Sequence, residues 1–211
     1  QALAKGAVLI YGIAEGGPGM VAVGTGCEDD SQPCVPYPTV WTSIDGTSWN
    51  RSGPDSAAFV DSGAMLDIVA KEDGFLAAGN VGEVRADETY VSRPGAWFST
   101  DGLEWSPAWT GEQIDTGESL VLPGFVALAA GPDGEVVGVG MAESTAGTLV
   151  AAVWHSSDGL TWERIDPDSP AFAGVDGGDV TMQNIAWTPN GYIAVGTEAG
   201  SEAKVWLSPD G

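Results

Sequence analysis

A pattern of nine residues, Trp-x-Ser-x-Asp-Gly-x-x-Trp, restricts the fold of this chain more than any other feature of its sequence. It occurs over residues 41–49, 97–105 and 154–162, and its first six residues occur a fourth time over 206–211. Seven of the nine tryptophans lie inside these copies, so the largest apolar side chains follow the repeat. A chain with this kind of self-similarity is built from repeated units that stack on one another.

Each copy of the pattern predicts a β-hairpin. Asp-Gly between runs of apolar and β-favouring residues is typical of a two-residue type I′ turn, in which both central residues have positive φ. With Asp45 and Gly46 as that turn, Thr42 lies opposite Trp49, and Trp41 points to the other face. Each hairpin then presents one indole to each side, so its sheet must be covered on both faces, like a propeller blade.

A second repeated element precedes each hairpin and predicts two further short strands joined by a tight turn. Its leading residues are Ile13, Ile68, Leu128 and Ile185, at steps of 55, 60 and 57 residues. Each unit therefore has four strands, a to d, with small residues on strands a and b and tryptophans on the outer pair. This taper and period favour an all-β propeller of four-stranded antiparallel blades over a β-sandwich.

The repeat also predicts the extent of the blades. We expect one domain or fragment over 1–211, with blades at approximately 7–52, 63–108, 124–165 and 181–211. The last blade lacks strand d, so we expect an arc of a larger propeller, with a closed four-bladed ring as the alternative.

The topology separates the connections into two sets. The a–b and c–d turns share one face, called here the turn face, and the b–c and d–a connections share the other, called the loop face. The turns are short and alike, whereas the predicted connections are long and different: 25–39, 80–95, 141–152 and 197–203 for b–c, and 50–64, 106–124 and 163–181 for d–a. Variable loops on a rigid scaffold commonly bind ligands, so we expect binding on the loop face.

Charge and cysteine content restrict the partners and the compartment. Thirty acidic residues against seven basic ones give a formal net charge of −23, which argues against nucleic acid or an anionic membrane surface as partners. No apolar run approaches the ~18 residues of a membrane span. Cys27 and Cys34 bracket a six-residue acidic segment, which favours a local disulfide and an oxidising compartment, with two separate thiols as the alternative.

The motif Ser-x-Asp-Gly-x-x-Trp after an apolar strand resembles the Asp-box, or bacterial neuraminidase repeat (BNR), of sialidase-like β-propellers. In this chain the tryptophan follows the aspartate by four residues instead of the usual five. In that superfamily the box is a folding element on the outer rim, remote from catalysis. The matching residues are Ser43, Asp45, Gly46 and Trp49; Ser99, Asp101, Gly102 and Trp105; Ser156, Asp158, Gly159 and Trp162; and Ser208, Asp210 and Gly211.

The resemblance implies a catalytic set that this sequence does not match. Sialidases use three arginines, a Tyr–Glu nucleophile pair and an aspartate as acid/base. The chain has four arginines: Arg51 and Arg164 follow box tryptophans on the rim, while Arg85 and Arg93 share one predicted b–c connection. No catalytic residue is therefore assigned. The single histidine, His155, occupies an ordinary packing position of the repeat.

Calcium is the one cofactor that the sequence leaves open. Oxygen-rich clusters occur over residues 28–30, 166–168 and 176–179, but none follows an EF-hand pattern, so no cofactor is the first expectation.

These observations favour a non-catalytic propeller module, secreted or on the cell surface, that binds a protein or glycan through its loops. The alternative is a fragment of a sialidase-like exo-glycoside hydrolase whose catalytic residues lie mostly outside 1–211. A purely structural repeat in a secreted assembly is the third hypothesis.

Overall fold

The structure is a computed structural model that describes residues 8–17, 19–27, 36–52, 57–59, 62–84, 90–111, 114–115, 124–143, 149–166, 168–198 and 202–211. These residues form sixteen β-strands and three one-turn 3-10 helices. The strands are β1 (Val8–Gly16), β2 (Gly19–Gly26), β3 (Tyr37–Ser43), β4 (Asn50–Ser52), β5 (Ser62–Lys71), β6 (Gly74–Val84), β7 (Tyr90–Ser99), β8 (Ser106–Thr110), β9 (Ile114–Asp115), β10 (Gly124–Ala130), β11 (Val136–Glu143), β12 (Leu149–Ser156), β13 (Glu163–Arg164), β14 (Val180–Thr188), β15 (Gly191–Glu198) and β16 (Glu202–Ser208). The 3-10 turns cover Ala57–Phe59, Pro132–Gly134 and Val175–Gly177. No helix among the described residues is long and apolar enough to cross a membrane.

The strands form four antiparallel sheets in chain order. The first sheet is β1-β2-β3-β4, the second β5-β6-β7-β8 with β9 added beside β7, the third β10-β11-β12-β13, and the fourth β14-β15-β16. Each is a meander of strands a to d, and the fourth has strands a to c. The predicted all-β architecture of successive blades is thereby confirmed.

The connections are shorter than predicted because the strands extend into them. Strand β6 continues to Val84 and β7 begins at Tyr90, so the predicted 80–95 connection is mostly ladder. Arg93 consequently lies within β7, paired with Val81, and the prediction that it shares a connection with Arg85 is wrong. Arg85 lies outside the described residues.

Every strand a carries a bulge at the same place, and every strand b carries a glycine opposite it. A Cβ built on each of these glycines would lie 1.9–2.1 Å from a carbonyl oxygen of the neighbouring strand a, so no other residue fits without displacing backbone. The bulges fall at Ile10/Gly12, Met65/Asp67, Phe125/Ala127 and Met182/Asn184, and the glycines are Gly24, Gly79, Gly140 and Gly196.

Three apolar clusters join consecutive sheets. In the first two clusters, small and medium aliphatic side chains of one sheet pack against large aromatic or thioether side chains, including two indoles, of the following sheet. The first cluster joins Val21, Val23 and Val40 to Met65, Phe75, Trp97 and Trp105; the second joins Leu76, Ala78 and Ala96 to Phe125, Val136, Trp154 and Trp162; the third joins Val137 and Val139 to Met182, Ile185 and Tyr192. Each inner sheet is therefore covered on both faces.

The structure corrects the predicted direction of the indoles. Trp97 and Trp105 belong to the same hairpin, and both lie in the cluster with the preceding sheet, as do Trp154 and Trp162. The prediction of one indole to each side is wrong because the register differs by one residue. Thr42 pairs with Asn50 instead of Trp49, and a shift of one residue moves a side chain to the opposite face.

The c–d turn is also different from the predicted two-residue hairpin. Six residues, Ile44 to Trp49, separate the end of β3 from the start of β4, and the other two complete turns have the same length. Gly46 has φ of 71°, but Asp45 is not among the residues with positive φ, so a type I′ turn is excluded.

A further repeat in the d–a connections escaped the sequence analysis. Residues 54–59 read Pro-Asp-Ser-Ala-Ala-Phe and residues 167–172 read Pro-Asp-Ser-Pro-Ala-Phe. The two phenylalanines, Phe59 and Phe172, are buried between sheets. The carbonyl of the alanine before each accepts the indole Nε1–H of the next sheet's c strand, from Trp97 at 3.2 Å and from Trp206 at 2.7 Å. A comparison of hexapeptides outside the tryptophan motif that allowed one mismatch would have found this element, since the two segments agree at five of six positions.

Candidate functional site

The predicted box residues form one hydrogen-bond network that is repeated in the three complete copies. In the second copy, Ser99 Oγ donates to Asp101 Oδ1 at 3.2 Å and accepts the N–H of Gly102 at 2.8 Å. Asp101 Oδ1 also accepts the N–H groups of Leu103 and Glu104, at 2.8 and 2.9 Å. The Nε1–H of Trp105 donates to the carbonyl of Gly102 at 3.0 Å, which folds the indole back under the turn.

The same contacts recur around Asp45 and Asp158, and Ser208 Oγ donates to Asp210 Oδ1 in the fourth copy. Hydrogen bonds from the N–H three residues along and then from the N–H two residues along lower the pKa of each of the three aspartates. Such carboxylates stay ionised and spend their lone pairs on backbone donors. They are suited to holding a turn and unsuited to delivering a proton.

A lysine connects the turns of neighbouring sheets. Lys71 Nζ, at the a–b turn of the second sheet, donates to the carbonyls of Gly134 and Asp158 in the third, at 3.0 and 2.9 Å. One residue thus reaches both an a–b and a c–d turn of the next sheet. The turns of the second and third sheets are therefore joined by hydrogen bonds from a side chain to backbone carbonyls.

Asp67 is a buried carboxylate that the sequence analysis did not identify. It lies at the bulge of β5, where its Oδ1 accepts the N–H of Ile68 and its Oδ2 accepts the N–H of Leu128 on the next sheet, both at 2.8 Å. Burial raises the pKa of Asp67, against the opposing effect of these two bonds. Asn184 makes the matching local bond to Ile185 in β14, so an uncharged amide serves at the equivalent place. The arrangement joins inner strands and leaves neither carboxylate oxygen free of a backbone donor.

A cluster of three polar side chains lies between the third and fourth sheets and consists of Tyr192, Glu135 and His155. The hydroxyl of Tyr192 donates to Glu135 Oε1 at 2.9 Å, and His155 Nε2 lies 3.6 Å from Glu135 Oε2. Burial, and secondarily the bond and charge of Glu135, raise the pKa of Tyr192. Tyr192 is buried in the inter-sheet cluster, where its hydroxyl is directed at Glu135.

Arg51 lies inside the first sheet. Its Nη2 donates to the carbonyl of Cys27 at 3.1 Å and to the hydroxyl of Tyr37 at 3.0 Å, and the guanidinium lies over the ring of Trp41, 6.0 Å from its centroid. It is thus held by the sheet's own residues.

The predicted disulfide can be followed at one of its two cysteines. Cys27 is buried and takes part in a disulfide, while Cys34 lies outside the described residues, so the Cys27–Cys34 pairing stays a prediction.

On the loop face, residues 165–166 and 168–179 belong to the connection between the third and fourth sheets. Val175 is 75% exposed at its tip, and the N–H of Val175 donates to Glu198 Oε1. Glu198 also pairs with Lys204 at 2.9 Å, and Lys204 Nζ donates to the carbonyl of Ala173 at 3.3 Å. This segment is therefore held at Ala173 and Val175 by side chains from the b–c end of the fourth sheet.

No group of three or more acidic, histidine or cysteine side chains in the described ranges is arranged to hold a metal ion. In the predicted 166–168 cluster, Asp166 Oδ1 accepts the N–H of Asp168 at 3.2 Å, the contact of an ordinary turn. Residues 28–30, another predicted calcium cluster, lie outside the described residues.

Comparison with known proteins places the chain by its fold. No protein-family model and no curated protein sequence matches it. Among solved structures, it is similar to Trypanosoma rangeli sialidase in complex with 2,3-difluorosialic acid, with a TM-score of 0.56 and 15% identity over 100% of this chain and 37% of that one. The chain has a sialidase-like propeller fold. A mutant of the same sialidase displaying trans-sialidase activity gives a TM-score of 0.55 at 15% identity, over 97% of this chain and 36% of that one.

The chain thus spans a little over a third of the length of the sialidase structures that it matches. The likeness covers all four sheets, including the fourth with its three strands. At this identity the comparison defines the fold, and the role of individual residues must come from their own contacts.

Proposed function

We propose that this chain is a non-catalytic, extracytoplasmic propeller module that presents its loop face to a protein or glycan ligand. The observation that carries the proposal is the unequal chemistry of the two faces. On the turn face, the box aspartates and Lys71 are engaged with backbone groups of the turns themselves. The loop face carries connections that vary from three residues between β15 and β16 to fifteen between β13 and β14, and such variable connections are the usual position of binding residues.

The contacts of the box aspartates, Asp67 and Tyr192 support a non-catalytic role. Hydrolysis of a glycoside needs one carboxylic acid that is protonated and a second carboxylate that is free to act as nucleophile or base. The box aspartates have lowered pKa values, Asp67 is bonded through both oxygens, and Tyr192 is buried with a raised pKa. Each of these groups serves the fold.

The segment of residues 168–179 is the part of the loop face that best fits a binding role. Its tip is fixed by Glu198 and Lys204, so a ligand would meet a preorganised surface and lose less conformational entropy on binding. A glycan is one ligand class because the matched sialidase binds a difluorosialic acid. A cation-rich protein surface is the other, because the net charge of the chain is −23.

The proposal is tested by screening the full chain against a glycan array and a panel of basic proteins, and by comparing two single variants. Val175→Asp places a charge on the loop face, and Ile44→Asp places the same charge at a side chain that is 89% exposed on the turn face. We expect Val175→Asp to weaken binding at least tenfold, the effect of about 1.4 kcal/mol, and Ile44→Asp to leave it unchanged. Loss of binding in the Ile44→Asp variant alone would place the site on the wrong face and refute the proposal.

The alternative is that the chain belongs to a sialidase-like exo-glycoside hydrolase whose catalytic residues lie mostly outside 1–211. The observation that favours it is that the fold likeness covers all of this chain but 37% of the matched sialidase. A fluorogenic sialoside distinguishes the two functions. Hydrolysis by the 211-residue chain itself would refute the non-catalytic proposal, whereas binding of sialic acid without turnover would support it.

A further inference from the structure

A cleft of about 280 Å³ lies between the first and second sheets, beside their c–d turns. Val21, Thr42 and Asn50 of the first sheet line one side, and Asp101 and Leu103 of the second sheet's c–d turn line the other. Both sheets have all four strands, so complete blades bound the cleft. An apolar cavity of about 150 Å³ holds a benzene ring, so this cleft has room for an aromatic ring with a short side chain.

The first sheet has a small residue in this cleft at the position where the second sheet has a phenyl ring. Thr42 and Phe98 each directly precede the box serine of their sheet. Thr42 pairs with Val21, and Phe98 pairs with Leu76. Directly paired residues share a face of the sheet, so both side chains lie on the face that packs against the following sheet. Thr42 therefore leaves open, beside Val21, the space that the half-buried ring of Phe98 takes beside Leu76.

The first sheet also lacks the ammonium group that the second sheet presents to its neighbour. The last residue of strand a is Lys71 in the second sheet and Gly16 in the first. Lys71 Nζ donates to the carbonyl of Asp158, the box aspartate of the third sheet, at 2.9 Å. Gly16 has no side chain, so the first sheet cannot make the equivalent bond to the carbonyl of Asp101.

The carboxylate of Asp101 makes the cleft anionic. Its Oδ1 accepts the hydroxyl of Ser99 and the N–H groups of Leu103 and Glu104, and the part of the chain that the structure describes shows no hydrogen bond to its Oδ2. The two backbone bonds lower the pKa of Asp101, which is therefore ionised at neutral pH. A cation in the cleft thus meets a charged oxygen, and the net charge of −23 favours its approach.

We propose that this cleft binds a small arylalkyl amine, in which an aromatic ring and a primary ammonium group are joined by a short aliphatic chain. The ring lies beside Val21 and Thr42, at the position that corresponds to Phe98 in the next sheet. The ammonium group binds the oxygens of Asp101, as Lys71 binds the carbonyl of Asp158. One molecule thus supplies both groups that the second interface has and the first interface lacks.

The test titrates the 211-residue chain with 2-phenylethylamine, which is protonated at pH 7, and follows the backbone amides by two-dimensional NMR. Saturable shifts should centre on Leu103 and its neighbours in the two c–d turns. Binding of 2-phenylethanol, which has the ring without the charge, should be at least about tenfold weaker because it forms no ion pair with Asp101. Ethylamine, which has the charge without the ring, should bind at least about tenfold more weakly because it buries little apolar surface.

A first pair of variants tests the place of the ring. Thr42→Phe introduces the residue that the second sheet already has at this position, and it should weaken binding at least about tenfold because its ring fills the cleft. Thr110→Phe makes the same change at an exposed residue of β8 outside the cleft, so binding should change by less than about twofold. Thermal unfolding establishes that both variants are folded.

A second pair tests the place of the charge. Asp101→Asn keeps the shape of the side chain and removes its charge, so binding of 2-phenylethylamine should weaken at least about tenfold. Asp158→Asn makes the same change at the same place of the next box, outside the cleft, and should alter binding by less than about twofold. Both variants lose the same kind of turn contact, so their difference reports the cleft alone.

Absence of saturable binding by 2-phenylethylamine, equal binding of 2-phenylethanol, or unchanged binding in folded Thr42→Phe would each overturn the proposal. Equal effects of Asp101→Asn and Asp158→Asn would overturn the assignment of the ammonium group to Asp101. The loop-face variant Val175→Asp should bind the amine normally, so failure of the loop-face proposal is distinguishable from failure of this one.

Discussion

Removal of one box indole measures how much the inter-sheet clusters stabilise this fold. Trp105 is 6% exposed and packs between the first and second sheets. Burial of an indole removes about 200 Å² of surface from water, which at about 25 cal/mol per Å² is worth roughly 5 kcal/mol. Large aromatic residues replaced by alanine in protein cores cost about 3–5 kcal/mol. We therefore expect Trp105→Ala to lower the free energy of unfolding by about 4 kcal/mol.

Trp49→Ala is the matched control because the two residues have the same place in the box and the same bond to the box glycine, at 3.0 and 3.2 Å. Trp49 is half-buried, and its sheet has no preceding sheet among the described residues. Both variants lose the same hydrogen bond, so the difference between them reports the buried area alone. Because Trp49 is half-buried, we expect Trp49→Ala to lower the free energy of unfolding by about 2 kcal/mol. Urea unfolding followed by circular dichroism gives both values. Equal losses in the two variants would refute the assignment of the box indole to inter-sheet packing.

Three further perturbations test the backbone devices of the blades, each by denaturant unfolding. Gly79→Ala places a Cβ 2.1 Å from a backbone carbonyl oxygen and should lower the free energy of unfolding by about 3 kcal/mol. The control Gly17→Ala, whose Cβ meets nothing within 4 Å, should change it by less than about 0.5 kcal/mol. Similar effects at both sites would contradict the close approach at the bulge. Asp101→Asn should destabilise at pH 7, because the lowered pKa of Asp101 contributes stability that is present above its unfolded pKa of about 4 and is lost as the pH falls through its folded pKa; a difference from wild type that persists at the lowest pH would exclude this charge effect. Lys71→Met removes two bonds to the next sheet at an exposed position and should cost about 1 kcal/mol, so an unchanged unfolding midpoint would show that this bridge adds nothing.

The same contacts explain why the box tolerates its unusual spacing. The aspartate accepts the N–H groups two and three residues along, and the tryptophan four residues along folds back under the turn to donate its Nε1–H to the box glycine. A turn of six residues, closed by one carboxylate and one indole, is thus complete at this spacing.

The local part of this architecture could be predicted from the sequence. Strand alternation, the aspartyl-glycine corner and the period of the leading isoleucine and leucine residues depend on interactions between near neighbours, so they indicated four antiparallel sheets. The Ser-x-Asp-Gly motif likewise placed its residues in one turn, where Ser99, Asp101 and Gly102 do meet.

The tertiary structure decided which neighbour each side chain meets. The observed pairing of strands c and d is shifted by one residue from the predicted one, which puts Trp97 and Trp105 on the same face of their sheet. The shift arises in the turn between the two strands, whose length the motif does not specify. The role of Asp67 in joining two sheets depends on the N–H of Leu128, which is 61 residues away along the chain.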